Sequence, residues 1–451
     1  MRDIVSPLSG FGSPFGQRRG LSTPTTIPQL LFGADEPGFF YDFDDWSTLF
    51  RDVAGTQPVT APNQGVALVL DKSGRNNHAT QATTAARPLT ARHPDGGVRN
   101  TVDGSERTST DGGAWITTGF LRYEQFAGKQ YVVYSSESAG SFRRAPINPG
   151  EYSFSWFWLP QHPDQTMSIT RSSGVFAAVV VTIFPDGTLE ESTGENRVAV
   201  DVLPTGELRI SVRTTVTGGS GSRNYFWSIS KAGPGESWLT GAQIEENTGV
   251  STPYQNRVSL LDVTEAGKNS IRRLYFNGAS HWMQTPTITP NTDKAQVFTG
   301  VRKLSEIDAV GVLVESSVAA NMNNGAFNIA APQVFPNRYR LLSRGTVVVP
   351  IDLTDEAYTA PVSNILTGLG DISGPSLVFR VDGTQVAQST GDQGTGNYLA
   401  YPVFIGARGG TSLFYNGFID QLITRFGPNL DTATIEKTEK YISTKSPEVK
   451  L

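Results

Sequence analysis

The ten residues EYSFSWFWLP, from Glu151 to Pro160, alternate in side-chain type. The even positions hold Tyr152, Phe154, Trp156 and Trp158, and the odd positions hold Ser153, Ser155 and Phe157. Successive side chains of a β-strand point to opposite faces of its sheet, so this pattern predicts a strand with one buried aromatic face. We therefore expect Trp156 and Trp158 in a core and Phe157 on the opposite face.

Segments of similar character surround this strand and continue towards the C-terminus. Glycine-containing turns separate VFAAVVVTIF (175–184), ELRISVRTTVT (207–217), RNYFWSISK (223–231) and WLTGAQIEE (238–246). Strand-like segments recur from about 271 to 427, with a hairpin signal at Asp382–Gly383. Many short strands with glycine turns are typical of a sandwich or jelly roll. The sequence therefore predicts an all-β chain.

Two or three domains are expected, because 451 residues exceed what one core usually holds. Helical character is confined to NLDTATIEKTEKYISTKSP (429–447). There Asp431 can cap a helix, Ile435, Tyr441 and Ile442 form an apolar stripe, and Pro447 ends it. We predict a short C-terminal helix beside the β-sandwich domains.

The composition excludes several classes of function. Charged residues make up 18 % of the chain and the net charge is -5, whereas a nucleic-acid-binding protein normally carries a basic face. No apolar run approaches the ~20 residues of a membrane-spanning helix, so we expect no membrane insertion. The N-terminus MRDIVSPLSG lacks the apolar core of a secretion signal, and the absence of cysteine suits synthesis in a reducing cytoplasm.

Residues 1–32 lack the pattern of a folded domain. Prolines and glycines interrupt them and the apolar residues are isolated, so the segment buries too little surface to order itself. We expect an extended N-terminal arm that lies along another protein. The expected anchors are Ile4, Leu8, Phe11, Phe15, Arg18 and Arg19. The alternative is a flexible tail.

Several motifs resemble those of laminin-G-like, concanavalin A-like sandwiches. These are LDKSGRNNHATQ (70–81), SLVFRVDGTQVAQS (376–389) and FIGARGGTSLFYNGFIDQLITRF (404–426). The longer segment from GADEPGFF at 33 to TTAARP at 88 resembles one that recurs in virion proteins of tailed phages and prophages. There it is usually followed soon by segments like LYFNGASHWMQTP and FTGVRKLSE, which begin here only at Leu274 and Phe298. The resemblance implies a sandwich interrupted by an insertion.

The inserted part has a resemblance of its own. GEYSFSWFWLP (150–160) and WLTGAQIEENTGVSTPYQ (238–255) are similar to segments of carbohydrate-binding-module jelly rolls in phage fibre proteins. The motif residues are Gly241, Ala242, Gln243, Glu245, Ser251, Thr252, Pro253, Tyr254 and Gln255. The predicted division is an arm at 1–32, a first sandwich made of 33–97 and 271–451, and a jelly roll inserted at 98–270.

Two groups of residues raise the question of catalysis. Asp71, Ser73 and His78 lie close together in sequence, but a Ser-His-Asp site needs convergence in space and oxyanion donors. Asp and Ser favour bends because they bond nearby backbone amides, so we predict a turn. Glu306 and Asp308 match the first positions of a glucanase motif, but its third carboxylate is missing. We therefore predict a protein that is not an enzyme.

Aromatic residues are the remaining candidates for chemistry, because sugar-binding modules use aromatic faces with amides and carboxylates. The candidate sugar-binding residues are Phe157, Trp238, Trp115, Tyr225 and Trp282. The alternative is that these aromatics belong to the cores. The four histidines show no metal-ligand spacing, so we predict no cofactor and no metal site, although a structural calcium ion stays open.

The resemblances imply a head fibre, spike or tail fibre on the surface of a tailed phage or phage-like particle, made in the bacterial cytoplasm. The expected partners are capsid or tail proteins, bound by the arm, and host-surface polysaccharide, bound by the sandwiches. A homo-oligomer or a paralogous fibre protein is a further expected partner. The alternatives are a purely structural decoration protein and a glucanase-type hydrolase.

Overall fold

The computed structural model describes residues 26–451 except 108–114, 118–119, 135–139, 145–149, 174–175, 194–196, 217–224, 227, 247–250, 307–309 and 335. The described chain is all-β, with two sandwiches and two α-helices. The predicted fold class is confirmed in these respects. The predicted anchors Ile4, Leu8, Phe11, Phe15, Arg18 and Arg19 lie outside the described residues.

The chain begins with a helix and five strands. They are α1 (Ile27–Phe32), β1 (Gly38–Asp42), β2 (Leu49–Phe50), β3 (Leu68–Val69), β4 (Ala79–Thr80) and β5 (Leu89–Pro94). Helix α1 starts with a capping box, in which Thr26 accepts from the Gln29 N–H while the Gln29 side chain accepts from the Thr26 N–H.

Thirteen strands follow. They are β6 (Trp115–Thr117), β7 (Phe120–Phe126), β8 (Lys129–Tyr134), β9 (Gly140–Arg144), β10 (Gly150–Leu159), β11 (Thr166–Ser173), β12 (Phe176–Ile183), β13 (Leu189–Thr193), β14 (Val198–Val202), β15 (Leu208–Val216), β16 (Tyr225–Phe226), β17 (Ser228–Ala232) and β18 (Ser237–Glu246). They form one continuous hydrogen-bonded sheet, and its two halves join where Phe176 pairs with Val216.

The remaining elements complete the chain. They are β19 (Gln255–Ser259), β20 (Asp262–Glu265), β21 (Ser270–Asn277), β22 (Met283–Gln284), β23 (Lys294–Lys303), β24 (Val312–Ser316), β25 (Ala326–Ala330), β26 (Tyr339–Arg344), β27 (Val348–Leu353), β28 (Val362–Asp371), β29 (Ser376–Val381), β30 (Thr384–Ser389), β31 (Val403–Ile405), β32 (Asn416–Phe426) and α2 (Thr432–Ser443).

The first sandwich is built from both ends of the chain. One sheet has the order β19-β20-β5-β21-β32-β23-β28-β29-β30, with β1 also paired to β32. The other has the order β2-β3-β4-β22-β31-β24-β25-β26-β27. Each sheet therefore joins strands that precede the insertion to strands that follow it. Side chains from both sheets, such as Phe39, Val297 and Ile329, share one buried core.

The inserted sandwich has a separate core. Phe154, Trp156 and Trp158 are each at most 1 % exposed, and they pack with Met167 and Val181 from the other half of the sheet. The prediction that Trp156 and Trp158 lie in the core is confirmed. Period-2 alternation was sufficient here because one face of the strand is wholly apolar.

Both helices cover the outer face of the β1–β32 sheet. Leu31 and Phe32 of α1 are 0 % and 2 % exposed and share an apolar cluster with Ile435 and Ile442 of α2. The assignment of the whole of 1–32 to an extended arm is therefore wrong for residues 27–32, which pack on the sandwich. Helix α2 follows its prediction: Asp431 accepts from the Thr434 N–H (2.7 Å) and caps it.

The chain leaves and re-enters the first sandwich at one point. Gln255, fully buried, accepts hydrogen bonds at Oε1 from the N–H groups of Arg99 (2.7 Å) and Asn100 (3.1 Å). Its Nε2 donates to the carbonyl of Gly97 (2.9 Å) and to Glu265 (2.9 Å). Strands β19 and β20 already belong to the first sandwich, so strand pairing resumes at Gln255, ahead of the boundary at 271 expected from the sequence.

Deleting residues 98–254 and joining the ends with a short Gly-Ser turn should leave a folded first sandwich, because Gly97 and Gln255 already touch. Loss of the hydrogen bonds at Gln255 costs about 1–3 kcal/mol, which lowers the melting midpoint by about 2–12 °C. The measurement is a thermal melt followed by circular dichroism.

The matched control deletes 89–254 and so removes β5, which lies between β20 and β21. This second protein should not melt cooperatively. An unfolded 98–254 deletion would contradict the independence of the first sandwich.

Candidate functional site

The turn from Asp71 to His78 is held by its own polar groups. The Asp71 carboxylate accepts from the N–H (2.8 Å) and the hydroxyl (2.7 Å) of Ser73. It also accepts from the N–H groups of Phe40 (2.9 Å) and Asn77 (3.0 Å). His78 Nδ1 accepts from the Asp71 N–H (2.9 Å). The serine hydroxyl thus donates to the carboxylate and not to the imidazole, and the prediction of a turn is confirmed.

Residues 251–255 return across the outer face of the inserted sheet, where two side chains of β18 fasten them. Glu245 accepts from the N–H (2.9 Å) and the hydroxyl (2.5 Å) of Thr252. Gln243 accepts from the Gln255 N–H (2.8 Å) and donates to the Thr252 carbonyl (3.3 Å). Both side chains are buried. These contacts give the G-A-Q-x-E…S-T-P-Y-Q motif a structural role.

An open cleft of about 640 Å³ lies where this return segment meets the inserted sheet. Its walls come from both sandwiches. The residues that matter for binding are Glu106, Lys129, Phe157 and Arg209 from the insert and Tyr254 and Asn256 from the return side. We call this the junction cleft.

Phe157 forms the apolar wall of the junction cleft. Its ring meets the Tyr254 ring edge-to-face at 5.3 Å, and the Lys129 ammonium lies 4.4 Å from the ring centre. Gly241 has φ +66°, and a Cβ there would come within 2.6 Å of the Phe157 ring. Phe157 does lie on the face opposite the core, but the return segment covers that face and leaves the residue only 4 % exposed.

Glu106 supplies a carboxylate to the junction cleft. Its oxygens accept from the Tyr254 hydroxyl (3.0 Å) and the Gln130 N–H (2.9 Å). Burial raises the pKa of Glu106, and burial beside Glu106 raises that of Tyr254, which keeps the phenol protonated as a donor. This wall therefore offers acceptor oxygens to a polar ligand.

Lys129, on the same side of the cleft, is paired with Glu207 at 2.8 Å. Burial opposes ionisation of Glu207. Hydrogen bonds from Lys129, Tyr131 and Thr205 outweigh it and hold the pKa of Glu207 below its ordinary value. The charge of Lys129 is thus matched within the protein.

Arg209 enters the cleft from β15. Its guanidinium donates to the Thr252 carbonyl and to the Ser155 hydroxyl (3.3 Å), both uncharged acceptors. Its Nε is buried and has no hydrogen-bond partner within the described residues. Burial lowers the pKa of Arg209. The cleft therefore contains a half-buried cation whose direct acceptors are neutral.

A second cavity, a groove of about 580 Å³, lies between α1 and α2. Apolar side chains such as Ile27 and Phe40 form part of its wall, and Lys437 and Lys440 approach it from α2. Its lining residues include no amide or carboxylate side chain, so it lacks the mixture of donors and acceptors that the junction cleft provides.

The other predicted sugar-binding residues lie elsewhere. Trp115 is 0 % exposed and its Nε1 donates to the Ser105 carbonyl (3.1 Å), so its ring is inaccessible to a ligand. Trp238 is half-buried, 6.0 Å from the Tyr131 ring. Trp282 is half-buried in the first sandwich beside Phe404. Tyr225 lies in β16, and its side chain is outside the described residues.

Sequence reasoning missed Glu106, Lys129, Arg209 and Asn256. They come from four separate segments, and no local spacing connects them. One signal was available for Arg209: it alternates with Leu208 and Ile210 in ELRISVRTTVT, which places a charge on the strand face opposite the core.

Glu306, the first carboxylate of the glucanase-like fragment, forms ion pairs within the protein. Glu306 contacts Lys303 (2.5 Å) and Arg338 (3.4 Å) and accepts from the Ala360 N–H (2.9 Å). Asp308 lies outside the described residues. Among the residues that the structure describes, no group of three His, Asp or Glu side chains could hold a metal ion. None of the described helices is long and apolar enough to cross a membrane.

No protein-family model and no curated protein sequence matches the chain. Among solved structures, CBM40 of the Ruminococcus gnavus IT-sialidase, bound to alpha2,3 sialyllactose, is 16 % identical with a TM-score of 0.27. The match covers 34 % of this chain and 97 % of that one. The receptor binding domain of botulinum neurotoxin type G is 10 % identical with a TM-score of 0.30. That match covers 38 % of this chain and 43 % of the other, so this chain spans less than half of the neurotoxin domain.

Because the Glu306 carboxylate is ion-paired with Lys303 and Arg338, we predict that the protein does not hydrolyse glycans. Purified protein incubated with bacterial polysaccharides should release no reducing sugar above the buffer background. Glu306→Gln should leave this unchanged but destabilise the fold by about 1–3 kcal/mol, because Lys303 is fully buried beside it. Glu356→Gln, at an exposed position, is the control for stability. Release of sugar that disappears in Glu306→Gln would establish catalysis.

Proposed function

We propose that this chain is a glycan-binding structural protein on the surface of a tailed phage or phage-like particle. The observation that carries the glycan part is the junction cleft, where an aromatic wall, a carboxylate, an amide and a guanidinium surround about 640 Å³ of open space. The virion part is supported by the sequence resemblance and by the character of the N-terminal segment.

The junction cleft suits a carbohydrate chemically. A sugar presents many hydroxyl groups, which act as both donors and acceptors, and a less polar ring face. Glu106 can accept from hydroxyls, Asn256 can do both, and Phe157 gives an apolar contact. The site is open to solvent along one side, as binding within a long polysaccharide chain would require.

One observation favours the alternative of a decoration protein without sugar binding. Phe157 is 4 % exposed and Lys129 lies over its ring, so less aromatic surface is available than sugar stacking normally uses. On this alternative the cleft is a seam between domains, and the sandwiches serve only to cover the particle. A direct binding measurement separates the two.

Filling the cleft should abolish glycan binding. Ala266, exposed at the cleft, tolerates a larger side chain, and Ala266→Trp should weaken binding to host-surface polysaccharide at least tenfold by occupying the ligand's place. Ala279→Trp, an exposed alanine outside the lining, is the matched control and should bind as the unaltered protein does. Binding is measured by co-sedimentation with purified polysaccharide. Equal binding by both variants would place any glycan site elsewhere.

The attachment role is tested by removing residues 1–25 and keeping α1, since Leu31 and Phe32 are part of the folded core. We expect a soluble protein with an unchanged melt and unchanged glycan binding that no longer joins particles lacking the native protein. The physical reason is that the arm supplies the anchors, with Arg18–Arg19 meeting carboxylates on the particle.

Full-length protein in which Arg18 and Arg19 are both replaced by Ser is the companion variant, and it should attach more weakly. Decoration of particles by the shortened protein at the full-length level would move attachment to the sandwiches.

A further inference from the structure

We propose that the ligand of the junction cleft is an acidic glycan, and that Arg209 binds its carboxylate. This inference rests on the proposed glycan binding and goes beyond it by assigning the charge of the ligand and the residue that recognises it. It rests on a difference between the cations around the cleft: some have a carboxylate partner within ion-pair distance, and Arg209 has none among the described residues.

Three other cations at the base of the insert have carboxylate partners. Lys129 pairs with Glu207 at 2.8 Å, and Arg99 pairs with Glu265 at 2.6 Å. Arg257 likewise pairs with Asp103 at 2.6 Å. Arg209 differs from them: no carboxylate of the described residues lies within ion-pair distance of its guanidinium.

A half-buried guanidinium without a directly paired carboxylate is costly, because burial removes hydration and the charges of Glu245 and Asp201 act on Arg209 only from beyond ion-pair distance. Arg209 is held in place by the Ser155 hydroxyl and the Thr252 carbonyl, and its side chain lines the open cleft. Both of these hydrogen bonds are made by Nη2, and Nη1 is left to donate to an incoming anion. A carboxylate accepts such a charge-assisted hydrogen bond at short distance and also supplies the counter-charge that a neutral hydroxyl lacks.

The remaining polar groups of the cleft define the rest of the ligand. Glu106 would repel an acid placed beside it, so it is suited to accept hydroxyl groups of the sugar at a distance from the carboxylate. Asn256 offers an amide donor and acceptor from the return side. A sugar ring with several hydroxyls and one carboxylate, as in a uronic or a sialic acid, could donate hydroxyl hydrogen bonds to Glu106 and place its carboxylate at Arg209.

The experiment compares full-length protein with Arg209→Gln and Arg213→Gln. Arg213 lies on the same strand and the same face, four residues further along, and is exposed, so its replacement removes an equal charge outside the cleft. Probes are polygalacturonate oligomers, the same oligomers after carboxyl reduction, and sialyllactose. Comparing the polygalacturonate oligomers with sialyllactose shows whether the bound carboxylate belongs to a uronic acid or to a sialic acid. Affinity is measured by calorimetry, with a thermal melt of each variant to confirm folding.

We expect the unaltered protein and Arg213→Gln to bind at least one acidic probe, and Arg209→Gln to bind it at least tenfold more weakly. Carboxyl reduction should cause a similar loss in the unaltered protein but no further loss in Arg209→Gln. Raising the ionic strength from about 0.05 to about 0.5 M should weaken only the Arg209-dependent part.

Two results would overturn the inference in distinguishable ways. Equal affinity for the acidic and reduced probes, unaffected by Arg209→Gln, would leave a neutral-glycan site and reject only the charge assignment. Absence of binding to every probe and to whole host polysaccharide would reject the proposed glycan binding itself.

Discussion

The buried side-chain amide of Gln255 is the interaction on which the rest of the structure depends. It uses its full hydrogen-bonding capacity: two backbone N–H groups donate to its oxygen, and its nitrogen donates to the Gly97 carbonyl and to Glu265. Gly97 precedes the insert and Gln255 follows it. This one side chain therefore joins the segment that enters the insert to the segment that leaves it. A fully satisfied buried amide is tolerated, whereas a partly satisfied one would cost about 1–3 kcal/mol.

The same crossing creates the junction cleft. The return segment must cross the outer face of the inserted sheet to reach Gln255, and Gln243 and Glu245 hold it there. Where the segment leaves the sheet, it leaves an open cleft that Arg209 lines, with Phe157 4 % exposed in its wall. Fold and candidate site thus share a cause, because the contacts that fix the domain junction also set the walls of the cleft.

Much of the fold could be predicted from the sequence, but little of the site. The alternation in EYSFSWFWLP placed Trp156 and Trp158 correctly, since period 2 depends only on neighbouring residues. Phe157 proved buried because residues nearly a hundred positions later cover its face, which no local pattern reports. Helix α1 was missed although the T-x-x-Q capping box of Thr26 and Gln29 was readable, since the surrounding prolines suggested an extended chain. The cleft residues converge only through tertiary structure.

A single sheet connects the cleft to the N-terminal helix. Strand β20, which carries Thr264 and Glu265 of the cleft wall, pairs with β5, and the ladder continues through β21 and β32 to β1, just after α1. Tension between a ligand held in the cleft and an anchor at the N-terminus would therefore pass through hydrogen-bond ladders of continuous β-sheet. The path does not cross the apolar core between the two sheets. Mechanical strength in this chain is thus a property of one sheet and of the order in which its strands are paired.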